Sequence, residues 1–212
     1  MKNKSTKELT KKVAKLSKLV KRTEPEHKQW DLYQTLSGVG TAGYVAPVFY
    51  NPSSTSYMIE GTSNIDRIGS QIRCQSMELK GSYAIADTTN LVRFIIFKDK
   101  SSDGVVPSVI SVLQPTAGGV TATVYSPLNK LNLNRYTIIY DSFKSGVYAS
   151  DSQVITFKKV KKLKGLKVTF KEDVNSAACL GQNQLYILLI SDSTITSHPG
   201  FGYWLRINYV DA

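Results

Sequence analysis

The chain has 212 residues, 42% of them hydrophobic, and its 27 Lys and Arg outnumber 16 Asp and Glu to give a formal charge of +11. A chain of this size and apolar content can bury one full hydrophobic core. It contains no apolar run of the length that crosses a bilayer, and no apolar segment follows its first basic residues. Neither a membrane span nor a secretory signal is therefore predicted.

The positive charge is concentrated in two segments. Residues 1–22 contain nine of the basic residues and one acidic residue, Glu8. Residues 158–171 contain seven lysines and no acidic residue. The remainder of the chain has 11 basic residues against 15 acidic ones. Localised charge of one sign on a mildly acidic protein indicates a polyanionic partner, either nucleic acid or an anionic membrane surface.

The first basic segment has the pattern of an amphipathic helix. Ser5 and Glu8 have the spacing of a capping box, and Pro25 ends the pattern. The apolar positions share helical spacing and form one narrow stripe: Leu9, Val13, Leu16 and Val20. Such a short, highly charged helix needs a partner. A solvated tail, a membrane-surface helix and a nucleic-acid arm all fit the pattern, although the absence of Trp and Phe from the stripe weakens the membrane interpretation.

The rest of the chain is rich in β-branched and aromatic residues, which favour strands. Strands are predicted at 71–85, 91–99, 135–143, 152–163, 166–172, 183–193 and 201–210. One helix is predicted at 107–114, with Pro107 at its start. Seven or eight strands separated by unequal loops are typical of an antiparallel two-sheet sandwich. The predicted fold is therefore all-β, a single eight-stranded antiparallel jelly roll with a basic N-terminal helical arm.

No group of residues has the spacing of a catalytic site, so no enzymatic activity is predicted. His27 and His198 are far apart in the sequence, each beside loop residues. Cys74 and Cys179 lie in apolar segments and are predicted to be buried free thiols. Four aspartates at strand ends and loops are expected to be turn formers or solvated charges: Asp99, Asp103, Asp141 and Asp192.

Several segments together resemble a known family. These are NLVRFIIFKDKSSDGVVPSVISVLQ, SPLNKLNLNRYTIIYD, NQLYILLISDS and the terminal NYVDA. They are similar to single jelly-roll capsid proteins, both of the satellite tobacco necrosis virus type and of small circular single-stranded DNA viruses. The lysine-rich helix followed by PEHKQW, and RIGSQIR at the first long strand, resemble the satellite capsid in particular. The resemblance covers nearly the whole chain and implies a sixty-subunit, T = 1 icosahedral shell with inward-pointing basic arms.

The resemblance divides the chain into a basic arm, residues 1–28, and a jelly-roll shell domain, residues 29–212. It implies that the arm binds a single-stranded DNA or RNA genome inside the shell, and the second lysine segment is a candidate for the same interior. Binding should be largely independent of sequence, because lysine–phosphate contacts position a strand without reading it. A solvated strand face or an external loop is an equally open alternative for the second segment. The candidate nucleic-acid-binding residues are Lys7, Lys11, Lys12, Lys15, Lys18, Lys21, Arg22, Lys158, Lys159, Lys161 and Lys162.

The resemblance also implies a structural calcium site at subunit interfaces. In the satellite capsid family, two backbone carbonyls near the first long strand, a C-terminal acid and an acid at a neighbour's arm junction form it. The matching positions here are Ile68, Gln71, Asp211 and Glu26. Carboxylate and carbonyl oxygens suit calcium. A second family site is not expected, because Thr62 stands where that site needs an acid. The alternative is that Glu26 and Asp211 are solvated or paired with Lys28 or Arg206.

Two functions follow from these observations. The first is a viral capsid protein that assembles inside the host cell, forms the virion and packages nucleic acid, with no membrane partner. The second is a non-viral, lectin-like β-sandwich binding protein with a basic tail. The sequence does not identify a host receptor, although outer loops at 51–64, 115–126 and 144–151 are candidates for contacting one.

Overall fold

Strands account for most of the regular structure. The computed structural model describes residues 8–16, 26–36, 38–51, 56–63, 65–85, 89–101, 103–116, 118–147, 153–194 and 199–212. The strands in these ranges are β1 (His27–Leu36), β2 (Tyr44–Pro47), β3 (Gln71–Ile85), β4 (Thr89–Asp99), β5 (Tyr136–Val147), β6 (Gln153–Thr169), β7 (Gln184–Ser191) and β8 (Gly200–Asp211).

Helical structure in the same ranges is short. Residues 8–16 form one helix (α1), and Val109–Val112 form a single turn (α2). Two 3₁₀ turns lie at Lys130–Asn132 and Ala177–Cys179. Among the residues that the structure describes, no helix has the length and hydropathy needed to cross a membrane.

The strands form two four-stranded antiparallel sheets. The first sheet has the order β1-β8-β3-β6 and the second has the order β2-β7-β4-β5. Each neighbouring pair is antiparallel. Consecutive strands alternate between the two sheets except β4 and β5, which are neighbours in the second sheet. This is the jelly-roll topology, so the predicted fold class is confirmed.

The sequence pattern missed two strands and divided a third. β1 and β2 are absent from the predicted set, whereas segments 152–163 and 166–172 form the single strand β6. A bulge explains the division, because the β3–β6 register shifts between Cys74 and Ser76. Opposite that shift, Lys164 and Gly165 have φ angles of 54° and 73°. Two consecutive left-handed residues displace the chain locally, after which the same strand continues.

The predicted helix at 107–114 is reduced to the one turn of α2. Its N-cap is Ser108, whose side chain accepts a hydrogen bond from the Ser111 N–H. Leu113 then becomes extended and forms an isolated β-bridge with Leu128. The apolar periodicity was correct locally, but pairing with a distant segment ends the helix early.

The first sheet buries one face and exposes the other. Along β8, alternate side chains enter the core between the sheets: Phe201, Tyr203, Leu205, Ile207 and Tyr209. The side chains between them point outward and are half-buried or exposed. This period of two is expected for a strand with one solvated face.

Most of the second sheet is buried on both faces, although its edge strand β5 keeps exposed side chains such as Asp141 and Lys144. All eight residues of β7 are buried. The outer face is covered by the described residues of two segments, 103–135 and 170–183, which we call the covering segments. Their buried residues, including Val112, Val124 and Leu180, pack with Phe97 and Leu188 of the sheet in a second apolar cluster. The second sheet is therefore the middle layer of a three-layer arrangement.

Two arginines link the second sheet to the covering segments. Arg93 of β4, 5% exposed, donates to both carboxylate oxygens of Asp141 at 2.9 and 2.7 Å and also to the carbonyl of Val124. Arg135 donates to both oxygens of Asp99, which is 2% exposed. Asp99 also accepts from the N–H and the hydroxyl of Ser101, so it is a turn former as expected, but it is buried rather than solvated because Arg135 pairs with its charge.

Both cysteines are buried free thiols, as predicted. Cys74 lies in the core between the sheets, whereas Cys179 lies in the cluster beneath the covering segments. Burial raises the pKa of the Cys179 thiol to about 11 and raises the pKa of Cys74 further. Neither thiol is expected to be reactive at neutral pH, since the thiolate is the reactive form.

Candidate nucleic-acid interface

The described part of the arm is a helix whose apolar stripe is exposed. Leu9, Val13 and Leu16 are 63%, 55% and 60% exposed. Lys11, Lys12 and Lys15 are on the same helix and are also exposed. The remaining candidates in the arm lie outside the described residues: Lys7, Lys18, Lys21 and Arg22. Both the apolar stripe and the lysines of this helix therefore face solvent in the isolated chain.

The arm precedes β1, an edge strand of the first sheet. β1 begins at His27 and pairs with β8 along its whole length. His27 and Lys28, which the predicted boundary assigned to the arm, are thus part of the sheet, while the domain division itself stays a prediction. Segment 1–25 consequently joins the shell domain at the sheet that has an open face.

The second lysine segment is the opposite edge strand of that same sheet. Exposure alternates along β6, with Lys158 and Lys162 on the open face and Lys159 and Lys161 on the other side. The Nζ atom of Lys159 lies 4.7 Å from the ring centroid of Tyr140 in β5. The four lysines that the sequence grouped together therefore divide into two pairs. Lys158 and Lys162 are on the solvent-exposed face of the sheet, whereas Lys159 and Lys161 are half-buried on its other side.

The open face of the first sheet is predominantly basic, and we call it the basic face. The register places Lys80 beside Lys158, Ser76 beside Lys162 and Arg73 beside Lys167. Its basic side chains on β3, β6 and β8 are Arg73, Lys80, Lys158, Lys162, Lys167 and Arg206. Its acidic side chains are Asp31 and Glu78, so positive charge predominates. Such a surface attracts polyanions.

Both acids of the basic face are neutralised by neighbouring cations. Glu78 lies 2.9 Å from the ammonium of Lys80 and 3.2 Å from that of Lys158. Hydrogen bonds from these two lysines lower the pKa of Glu78. Arg206 donates from two nitrogens to the two oxygens of Asp31, each at 2.7 Å. Hydrogen bonding by Arg206 is the main cause of the lowered pKa of Asp31.

Two aromatic side chains lie among these charges. Trp204 of β8 is 48% exposed and Tyr33 of β1 is 59% exposed. Their ring centroids are 5.9 Å apart. The register continues this row across the sheet from Tyr33 through Trp204 and Lys80 to Lys158. Sequence reasoning missed these residues, although the alternation of FGYWLRINYV places Trp204 and Arg206 opposite the buried side chains.

Three of the four predicted calcium ligands lie close together around a lysine. Lys28 is 2% exposed, and its Nζ lies 2.9 Å from Asp211 Oδ2 and 3.7 Å from Glu26 Oε2. The same ammonium donates to the carbonyl of Asp66 at 2.8 Å. The other Asp211 oxygen accepts from the Ile68 N–H at 2.8 Å. Gln71 begins β3 a short distance along the chain.

The alternative to a calcium site was that Glu26 and Asp211 pair with Lys28 or Arg206. The structure shows such an ion-pair cluster, in which Lys28 is the cation. Arg206 pairs with Asp31 instead. Among the described residues, no cluster of three or more His, Cys, Asp or Glu side chains could hold a metal ion. Hard oxygens are present, but within one subunit both Asp211 oxygens already accept from N–H groups. A calcium ion would need further oxygens and a displaced ammonium, because it usually takes six to eight oxygen ligands.

Comparison with known proteins agrees with this architecture. A sequence model of the Satellite tobacco necrosis virus coat protein matches residues 1–212. The capsid protein of Satellite tobacco necrosis virus 1 is 27% identical over 175 residues, covering 82% of this chain and 82% of that protein. The coat protein of Maize white line mosaic Satellite virus is 24% identical over 195 residues, covering 88% and 82%.

Among solved structures, the unassembled KI polyomavirus VP1 pentamer covers 89% of this chain and 95% of its own at 12% identity and a TM-score of 0.25. The fold assignment depends on the strand order described above rather than on that alignment. The family match spans the arm and the shell domain alike, which removes the non-viral lectin-like alternative. A jelly roll with a basic arm, matched over its full length, is a viral coat protein and virion component, and the chain belongs to the satellite tobacco necrosis virus coat protein family.

Proposed function

We propose that this coat protein assembles inside the host cell into a T = 1 icosahedral shell of sixty copies and packages a single-stranded nucleic acid with its lysine-rich arm. The observation that carries the proposal is the position of the charge: the arm precedes one edge strand of the first sheet, and the basic face lies on that sheet. Positive charge at one layer of the subunit is suited to a polyanion enclosed on one side of a shell.

Neutralising the described arm lysines tests this proposal. Lys11, Lys12 and Lys15 are exposed, so changing all three to Gln should preserve the shell fold. Particles should contain less nucleic acid, measured as the ratio of absorbance at 260 and 280 nm. The slope of log affinity against log salt should fall by about 2, because each lost phosphate contact removes about 0.7 from it on a single strand.

A matched control removes the same charge near the second sheet. Lys100, Lys130 and Lys144 are exposed and belong to β5 or to the segment between β4 and β5. Replacing these three by Gln should leave the nucleic-acid content unchanged. Equal loss in both triple variants would show that total charge, and not the arm, controls packaging.

Nuclease digestion distinguishes whether the packaged strand is DNA or RNA. Both matched relatives are coat proteins of satellite viruses. The similarity to single-stranded DNA virus capsids stays a prediction. Lysine–phosphate contacts serve DNA and RNA equally. Nucleic acid extracted from purified particles should be degraded by either RNase or DNase alone, and sequencing would identify it.

We also propose that calcium bridges subunits at Asp211 and Glu26. The support is the convergence of hard oxygens near Ile68, together with the resemblance that suggested the site. The ion would have to replace Lys28 as the charge partner of these acids. EDTA should then lower the melting temperature of particles, added calcium should restore it, and Asp211→Asn should remove the response. Particles whose melting temperature ignores both treatments would exclude the site.

A further inference from the structure

We propose that Tyr33 and Trp204 form a base-stacking site for single-stranded nucleic acid on the basic face. This inference rests on the proposed packaging function and names a contact within it that the charges alone do not supply. Aromatic rings beside a basic groove are the usual platform for single strands, because every base has a π-face and every nucleotide a phosphate.

The position of Trp204 in the sheet is the first support. β8 lies between β1 and β3, so the indole ring is in the interior of the sheet and not at its edge. In such a position an exposed side chain lies over neighbouring strands rather than over a loop. Trp204 nevertheless keeps 48% of its surface exposed and Tyr33 keeps 59%. Two large adjacent aromatics open to solvent on a predominantly charged face are the kind of exposed apolar surface that marks an interaction site.

The shape of the surface is the second support. A groove of about 320 Å³ is lined by Glu78, Lys80, Trp204 and Arg206. Its volume falls within the range of small-molecule sites, which begin at about 300 Å³. One wall is the indole ring and the others end in charged groups. A flat apolar wall beside cations matches the two parts of a nucleotide, the base and the phosphate.

The charges around the rings are the third support. Both acids near the groove are paired, Glu78 with Lys80 and Lys158, and Asp31 with Arg206. Lys158 lies two strands from Trp204, about 10 Å at the usual strand spacing. A base on Trp204 therefore places adjoining phosphates near the lysines of β3 and β6. Lys162 and Lys167 extend the same positive track along β6.

A second copy of the chain is a less suitable occupant. A two-fold contact through this face would place like charges against each other, which is unfavourable. A polyanion with flat apolar bases has the complementary charge and the complementary shape. The structure therefore favours a single-stranded nucleic acid over a neighbouring basic face.

Fluorescence of the full-length chain tests the stacking site. An unlabelled oligouridylate of about 16 nucleotides should quench the tryptophan emission of the native protein. Trp30 is 9% exposed and its indole donates to the Val48 carbonyl, so the quenching should come from Trp204. Trp204→Phe should remove the quenching while the emission of Trp30 remains.

Affinity for the same oligouridylate carrying a fluorescein label gives the second readout, by fluorescence anisotropy. Trp204→Leu should weaken binding roughly fivefold or more, and Trp204→Phe should weaken it less because a ring remains. The slope of log affinity against log salt should be unchanged, because stacking releases no counterions. Tyr125→Leu is the matched control: Tyr125 is 71% exposed but lies in a covering segment of the second sheet, so affinity should not change.

Two results would overturn the stacking site. One is native affinity in Trp204→Leu, and the other is tryptophan emission that oligouridylate leaves unquenched. If the Trp204→Leu protein binds normally but no longer forms particles, the face belongs to contacts between copies. The proposed function fails separately, if the triple arm variant keeps its full nucleic-acid content.

Discussion

The two sheets of the sandwich have the same number of strands but differ in how far their outer faces are exposed to solvent. The first sheet alternates buried and exposed side chains, and its outer face carries charges and two aromatic rings. In the second sheet, β7 and most of β4 are buried on both faces, since the covering segments pack over its outer side. Long connections therefore cover and stabilise the second sheet, whereas the outer face of the first sheet stays exposed.

The largest effect should come from opening a cavity under the covering segments. Leu188 of β7 is 0% exposed in that cluster. Leu188→Ala should lower the free energy of unfolding by about 3 kcal/mol, from lost burial and the residual cavity. Denaturant unfolding of the subunit measures it. Val160→Ala on the basic face, where Val160 is 55% exposed, is the control and should change stability by less than about 0.5 kcal/mol. Equal losses in the two variants would contradict the division between the sheets.

A smaller loss is expected on removing Arg93, which pairs with Asp141 of β5 and donates to the Val124 carbonyl of a covering segment. Arg93→Met removes the cation that pairs with the Asp141 carboxylate. It also removes the guanidinium N–H that donates to the Val124 carbonyl. The expected cost is about 2 kcal/mol, because charged hydrogen bonds are lost while Asp141, partly exposed, can regain water. The matched change on the basic face is Arg206→Met, whose pair with Asp31 is exposed and solvated. Thermal unfolding should detect the first change and not the second.

Thiol reactivity sharpens the comparison between the two apolar clusters. The pKa of Cys179 is raised to about 11, and burial raises that of Cys74 still further. In native protein, alkylation by iodoacetamide should therefore be slow at pH 8 and should accelerate as pH rises, with Cys179 modified before Cys74. Mass spectrometry of partly alkylated protein measures the order. Faster modification of Cys74 would mean that the core between the sheets opens before the covering segments do.

The smallest effect concerns acid pH on the open face. Arg206 lowers the pKa of Asp31 below its ordinary value of 3.8. The pair therefore contributes stability that is present above that ordinary value and is lost as pH falls through the lowered one. Arg206→Met should raise the pKa of Asp31 toward its ordinary value, which carboxyl NMR titration measures. An unchanged titration of Asp31 would show that Arg206 does not hold its charge.

Strong β patterning made the fold predictable, whereas the site depended on contacts between distant residues. β1 was missed because Lys28 and Gln34 occupy inward positions that read as polar. Lys28 is buried only because Asp211 and the Asp66 carbonyl, far away in sequence, receive its ammonium. The outward position of Trp204 could be predicted from the alternation of apolar and polar residues along β8. Its neighbours Tyr33 and Lys80 were not, since register between strands determines them.

The bulge in β6 has a consequence for subunits that have not yet assembled. An edge strand presents unpaired N–H and C=O groups that can template the strand of another chain, which is a route to aggregation. Lys164 and Gly165, both with positive φ, interrupt the regular edge of β6, and Lys158 and Lys162 place charges beside it. A chain that must reach high concentration before it closes into a shell is thereby protected against growth of its sheet into fibrils.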